Sequence, residues 1–550
     1  MLSLSIVLST FVGCRRSTSG TGQSGSGNET PKPQLVETSS PVAVDKGDLK
    51  LRYEARKQVN ALTASHTVGT NPQAIEKLIS ELNQRLILPF DIYVVFKDCE
   101  LPDAFYDPET HEVTLCYQLI DDYYDLFAKK IKDKTKLDDA VKAATVATFF
   151  HELGHSLVDA WKIPITGREE DAVDQLSTLV LIEATEGGEQ MALDGALAFK
   201  LYADAYKGEK VYWDEHSLDE QRFFDTICLV YGHDEKKYAY LVSNGTLPEE
   251  RASYCSEDYD KVNRAWRQLL APYLTVSAQP RPKLKWAKSL INVKFSNKKR
   301  KSFRGPLAEH TVLVSQQAVY RIVEQLKKRI ALPFELQVSF EQCGVPDSYY
   351  DYKSHEIVIC YELIETYHYL FSRTLKVRTA QNEATKGATV AMFLHEVAHA
   401  LIDGWDLPIT GREEDAADQF STLLLINDIP DGNKMALDSA RVFKLLADLE
   451  KRQKKDYSDA HSLDEQRFFN TVCLVYGNRP VQYEYLVRNG ILPAERAFDC
   501  EEEYARVNRS WQTLLAPHLA YSSYQLKARS RWSQTKSGRP NNSLEPAASH

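Results

Sequence analysis

One pattern occurs twice in this 550-residue chain, and that limits what the chain can fold into. HELGH begins at His151 and HEVAH begins at His395, an interval of 244; Cys99 and Cys343 keep that interval, while Cys228 and Cys473 are 245 apart. A duplicated unit of about this length with one inserted residue accounts for most of the chain. The length points the same way, since roughly 100–200 residues make one domain and a single core rarely serves more. Two domains are expected, at residues 49–275 and 291–520, with a linker at 276–290. From Val276 to Ala308 the chain is basic with no acidic residue. Such a run reads as a solvated connector, or as one that meets anionic headgroups.

Within each unit a small β-rich stretch precedes helices, so the fold class is α+β. In the first unit Leu49–Tyr53 reads as a strand. Ile75, Leu78, Ile79, Leu82 and Leu86 recur at helical spacing over Ala74–Leu86. DIYVVFKDC and HEVTLCYQL read as two strands of a hairpin around Pro102, Asp107 and Pro108. Helices follow at Asp121–Ile131, Leu137–Trp161 and Gly167–Ile182, with further helical segments at Met191–Tyr206, Ser217–Tyr231 and Ser256–Leu270.

The chemistry lies on two of these helices. His151 and His155 stand at i,i+4, so both imidazoles leave one face and can hold one ion, with Glu152 beside the remaining position. Glu170 and Asp174 repeat the i,i+4 relation on the next helix, as do Glu414 and Asp418 after His395, Glu396 and His399. A helical Glu-x-x-x-Asp after HExxH resembles the gluzincin class of zinc peptidases. CYQLI and CYELI, HSLDEQRFF and LVYG are similar to segments of a family of bacterial metallopeptidases, a likeness that spans both halves.

The resemblance implies two tandem zincin-like domains that hydrolyse peptide bonds, with one zinc in each. His151, His155 and Glu170 would bind the first zinc and His395, His399 and Glu414 the second; Asp174 itself is the alternative third ligand in the first site. Glu152 and Glu396 would be general bases for a zinc-activated water. Asp174 and Asp418 would orient a ligand histidine through its second nitrogen. His216 and His461, at the head of HSLDEQRFF, would donate to the oxyanion. His216 with Ser217 and Glu220 also reads as a helix start with a Ser-x-x-Glu capping box. Glu169 reads as surface or helix N-terminal charge, and Arg222 and Arg467 as partners of an acidic ligand-helix residue or of substrate, a structural salt bridge being the preferred reading. By that resemblance DIYVVFKDC or HEVTLCYQL would be an edge strand above the metal that aligns an extended peptide by strand addition, with a buried strand the equal alternative. Two other readings of the motifs are a zinc-containing lipoprotein that binds peptides without turnover and an amidase acting on cell-wall peptides.

The chain begins MLSLSIVLSTFVGC, similar to a bacterial lipoprotein signal ending in a lipidated Cys14, with Phe11 where leucine is usual. A plain secretory signal is the alternative. Residues 15–48, rich in Ser, Gly, Thr and Pro, read as a tether, and residues 521–550 as a polar tail. The other cysteines divide four and four between the repeats, which suits export. Proximity pairs Cys99 with Cys116, Cys228 with Cys255, Cys343 with Cys360 and Cys473 with Cys500. The expected setting is the bacterial cell envelope, extracytoplasmic and lipid-anchored, with peptide or protein substrates. A net charge of −10 argues against nucleic acid as the partner.

Overall fold

A computed structural model describes residues 44–56, 72–184, 187–275, 291–295, 306–450 and 455–519. Cys14, the linker at 276–290 and the tail from 521 lie outside the described residues. The first repeat runs β1 (Leu49–Tyr53), α1 (Pro72–Asn83), β2 (Ile92–Lys97), β3 (Ala104–Asp107), β4 (Glu112–Cys116), α2 (Tyr117–Ala128), α3 (Lys134–Trp161), α4 (Glu169–Ala184), α5 (Gly188–Ala205), α6 (Asp219–His233), α7 (Tyr240–Ser243) and α8 (Glu249–Leu270). The second runs β5 (Ile291–Phe295), α9 (Pro306–Leu326), β6 (Leu336–Glu341), β7 (Ser348–Asp351), β8 (Glu356–Cys360), α10 (Tyr361–Thr374), α11 (Arg378–Trp405), α12 (Glu413–Asp428), α13 (Gly432–Glu450), α14 (Asp464–Asn478), α15 (Pro480–Arg488) and α16 (Ala494–Leu515). The chain is thus α+β and built of two repeats. Among the described residues no helix is long and apolar enough to cross a membrane.

Compactness cuts the chain elsewhere than the repeat does. One compact unit comprises Met1–Pro282 with Pro408–Trp511, and the other Lys283–Leu407 with Gln512–His550. The first unit therefore contains the whole first repeat together with α12 to α15 and most of α16. The second contains the sheet β5 to β8 and helices α9 to α11.

Each sheet has the order of its first member, 1-2-4-3: β2 lies between β1 and β4, parallel to both, and β3 is antiparallel to β4 at the edge. The second sheet repeats this arrangement. The expected hairpin of β2 with β4 is therefore corrected, because the true hairpin joins β3 to β4. Its loop is short, whereas β2 and β4 are separated by a longer segment that crosses to a parallel register. The Asp107 carboxylate closes the turn, accepting from the Glu109 amide and the Thr110 hydroxyl, and His111 adopts a left-handed conformation (φ 54°). Ile92, Val94, Val95 and Phe96 are buried, as an interior parallel strand requires. Neither β2 nor β4 is an edge strand, which leaves the buried-strand reading of both; the edges are β1 and β3. All four expected disulfides are present: Cys99–Cys116, Cys228–Cys255, Cys343–Cys360 and Cys473–Cys500.

Helix α3 starts where the Asp133 side chain accepts from the Lys136 amide, and ends at Lys162 in the left-handed conformation. Its C-terminal half is packed into the core, with Phe149, Phe150, Leu153, Leu157 and Trp161 all buried. Against it packs α4. A Cβ added at Gly154 would come within 3.0 Å of Val173 Cβ and Cγ1, so the glycine inside HELGH sets how closely the two helices approach. The second repeat has alanine at both positions, Ala398 and Ala417, adding one carbon on the first helix and removing two from the second. We predict that Gly154→Ala lowers stability by about 1–3 kcal/mol through overpacking. Adding Val173→Ala should restore most of it, read as non-additive denaturant midpoints of the single and double variants.

The loop between α3 and α4 is held by its counterpart between α11 and α12, within the first compact unit. Thr166 and Thr410 exchange hydrogen bonds reciprocally, amide to hydroxyl and hydroxyl to carbonyl, at 3.0–3.2 Å. The Gln419 amide side chain spans the Gly167 N–H and C=O at 2.9 and 2.7 Å, and Gln175 does the same at Gly411. Gly167 needs its φ of +66°, and a Cβ there would meet the Thr410 carbonyl oxygen at 3.1 Å.

Candidate metal centre

Helices α3 and α4 bring the first set of predicted residues together. His151 Nε2 lies 3.2 Å from Glu170 Oε2, and His155 Nε2 lies 3.4 Å from Glu170 Oε1. The ligand atoms of His151, His155 and Glu170 lie within 4.8 Å of one another. At tetrahedral zinc distances of about 2.0–2.1 Å, neighbouring donors stand about 3.3 Å apart. The donor types and spacing fit a small divalent cation held by two imidazoles and a carboxylate.

The far nitrogen of each imidazole is also occupied. His151 Nδ1 donates to Asp174 Oδ1 at 2.7 Å and His155 Nδ1 to Glu169 Oε1 at 3.0 Å, which leaves both Nε2 atoms turned toward Glu170. Asp174 is therefore a partner of His151, beside the cluster. Glu169, expected as surface or helix N-terminal charge, does stand in the first turn of α4, but it is mostly shielded rather than on the surface and is the equivalent partner of His155. The first turn of α4 supplies both Glu169 and Glu170, and Asp174 follows one turn later on the face shared with Glu170.

Behind these carboxylates stand arginines. Arg222 grips Asp174 through Nε and Nη2 at 2.7 and 2.9 Å, and Arg467 holds Asp418 with the same two distances. Burial would push the Asp174 pKa up, but Arg222 and His151 outweigh it and hold the carboxyl well below the usual range. Burial likewise opposes ionisation of Glu170, yet its hydrogen bonds with His151, His155 and His216 hold its pKa well below the ordinary value. Glu152 has no such support, and its burial raises its pKa. Its Oε1 is 4.0 Å from His151 Nε2.

His216 reaches the same cluster from the loop before α6. Its Nε2 is 3.0 Å from Glu170 Oε2, and its ring lies stacked at 6.5 Å from that of His151. Asp214 accepts from its backbone amide at 2.9 Å and faces its Nδ1 at 3.2 Å, while Arg168 donates to its carbonyl at 3.2 Å. The expected Ser217–Glu220 capping box is displaced by one residue. The Gln221 side chain accepts from the Leu218 amide, and the buried Ser217 hydroxyl has no hydrogen-bond partner among the described residues.

A cavity of about 380 Å³ opens against His151, Glu152 and His216, reaching Asp103 and Ala104 at the edge strand β3. Its far wall includes Ala147 of α3 and Gly195 of α5. A Cβ at Gly195 would meet Ala147 at 3.2 Å, so small residues make this wall.

The second set is divided between the compact units. On α11, buried His395 and His399 bring their Nε2 atoms to 3.2 Å, with Glu396 buried beside them. In the other unit, Glu414 Oε2 of α12 lies 3.0 Å from His461 Nε2, and Asp459 faces His461 Nδ1 at 3.0 Å. These distances repeat the Glu170–His216–Asp214 arrangement.

Residues 53–270 and 304–515 match the DUF4344 family model, described as "Putative metallopeptidase". The chain belongs to this family. The two matched regions contain every metal-site and catalytic residue expected from the sequence, so one chain holds two copies of the family's domain. No curated protein and no solved structure matches the chain.

Loss of Arg222 would leave Asp174 largely buried with His151 as its remaining ionic partner. Arg222→Met is expected to lower stability by about 3 kcal/mol or more, measured as a fall in the midpoint of denaturant unfolding. Arg467→Met should behave alike.

Proposed function

We propose that this chain is a zinc-dependent peptidase with one catalytic site in each repeat. The observation that carries the reading is the convergence of His151 Nε2 and His155 Nε2 on the two oxygens of Glu170 at 3.2 and 3.4 Å. His151, His155 and Glu170 would hold the ion, which when bound supplies a Lewis acid for the scissile carbonyl and lowers the pKa of water. Asp174 and Glu169 keep each imidazole in the tautomer whose Nε2 is free to ligate.

The remaining residues divide the chemistry. Glu152 accepts the proton of the attacking water and returns it to the leaving amine, and burial makes its carboxylate more basic than an exposed one. His216, fixed through its backbone and Nδ1 by Asp214, turns Nε2 toward the cluster and can donate to negative charge developing on the carbonyl oxygen. The free edge of β3 at Asp103 and Ala104 would align an extended peptide across the cavity by backbone hydrogen bonds. Sequence repetition extends these roles to His395, His399, Glu414, Glu396, His461 and Asp418, which gives two zinc ions per chain. The four disulfides support an exported setting, in keeping with lipid anchoring at Cys14.

The test compares wild type, Glu152→Gln, Glu396→Gln and the double variant for zinc content and cleavage of an unbiased peptide library. All four should retain two zinc ions. The double variant should lose peptide hydrolysis by a factor of about 10²–10⁴, the usual contribution of a positioned acid–base group. Equal cleavage by wild type and the double variant would sink the reading.

A further inference from the structure

We propose that the first metal site is completed by the other repeat, with Arg506 of α16 acting as a positioning residue for His155 through Glu169. The proposal rests on the metal reading above. Glu169 stands between the two: its Oε1 accepts from His155 Nδ1 at 3.0 Å, and its Oε2 forms an ion pair with Arg506 Nη1 at 3.0 Å. The Arg506 contact meets the ion-pair distance without the alignment of a hydrogen bond, so it acts on Glu169 chiefly as charge. Both side chains are mostly shielded from water, with about a quarter of Arg506 and a fifth of Glu169 exposed.

A buried carboxylate next to Glu170 is costly unless a cation faces it. Among the described contacts no lysine or arginine of the first repeat forms an ion pair with Glu169; His155 and Arg506 are its ionic partners. Removing Arg506 would leave Glu169 free to swing toward water, away from His155 Nδ1. That movement would release the His155 ring from the orientation that presents Nε2.

The relation is reciprocal. Lys261 occupies in the first repeat the position of Arg506 in the second, and it meets Glu413, the counterpart of Glu169, at 3.1 Å. A cation from each repeat thus reaches the first turn of the other repeat's ligand helix. The loops leading into those helices are locked to each other by Thr166 with Thr410, Gln419 with Gly167 and Gln175 with Gly411. Arg412 adds an ion pair to Asp225 at 2.7 Å. The duplication accordingly does more than place two copies of the motif on one chain, because each repeat furnishes a cation to a first-turn glutamate of the other's Glu-x-x-x-Asp helix.

The experiment uses the full chain carrying His395→Ala, which leaves the first site as the zinc site to be read, and follows transfer of zinc to a chromogenic chelator. In this background Arg506→Ala should weaken zinc binding about 10–100-fold, the range for losing a partner behind a ligand. Arg506→Lys should keep it within a few-fold, and Lys261→Ala should leave it unchanged. Once Glu169→Ala is present, Arg506→Ala should add nothing further, a coupling that a purely structural arginine would not produce. Zinc affinity unaltered by Arg506→Ala, or additive losses with Glu169→Ala, would overturn the proposal while leaving the metal reading intact. Absence of zinc from the wild type would overturn both.

Discussion

Placing Glu170 between two imidazoles, largely out of water, is tolerable only if its negative charge and theirs are met in the right order. Much of the polar architecture around α4 answers that requirement. Two imidazoles and His216 surround Glu170; Asp174 and Glu169 occupy the outward nitrogens; Arg222 and Arg506 stand behind those carboxylates. Charge alternates outward from the centre, and each layer fixes the orientation of the one inside it. Glu152 has the more distant contact, 4.0 Å from His151 Nε2, and burial outweighs the nearby histidines to raise its pKa.

The layering requires α3 and α4 to lie close together. Gly154 permits it by letting Val173 seat against α3. The sheet contributes by placing β3 at its edge, next to the cavity that opens on His151 and Glu152. The Asp214 turn and Arg168 then hold the His216 loop against the same opening.

Much of this was legible in the sequence because it is local. An i,i+4 spacing puts His151 and His155 on one helical face wherever the helix packs, and the same holds for Glu170 and Asp174. The four disulfides were legible because each repeat has its cysteines in two sequence-near pairs. What escaped was non-local. The order of β2, β3 and β4 depends on which segments pair across the sheet, and two β-branched runs look alike in parallel and antiparallel registers. Glu169 reads as solvent charge until Arg506 and His155 are seen on either side of it. The division into compact units also follows contacts, with the second repeat's helices α12 to α15 grouped with the first repeat. One signal was available: Glu169 and Glu413 recur together, as do Lys261 and Arg506 at a 245-residue interval.

The central claim is that His151, His155 and Glu170 hold one metal ion. Anomalous diffraction at the zinc absorption edge from crystals of the zinc-loaded chain tests it most directly. The account predicts a peak about 2.0–2.2 Å from His151 Nε2, His155 Nε2 and a Glu170 oxygen, with Asp174 and Glu169 remaining on the outward nitrogens. Zinc bound elsewhere in a saturated crystal, with this cluster closed on itself by the direct histidine–glutamate contacts, would contradict it.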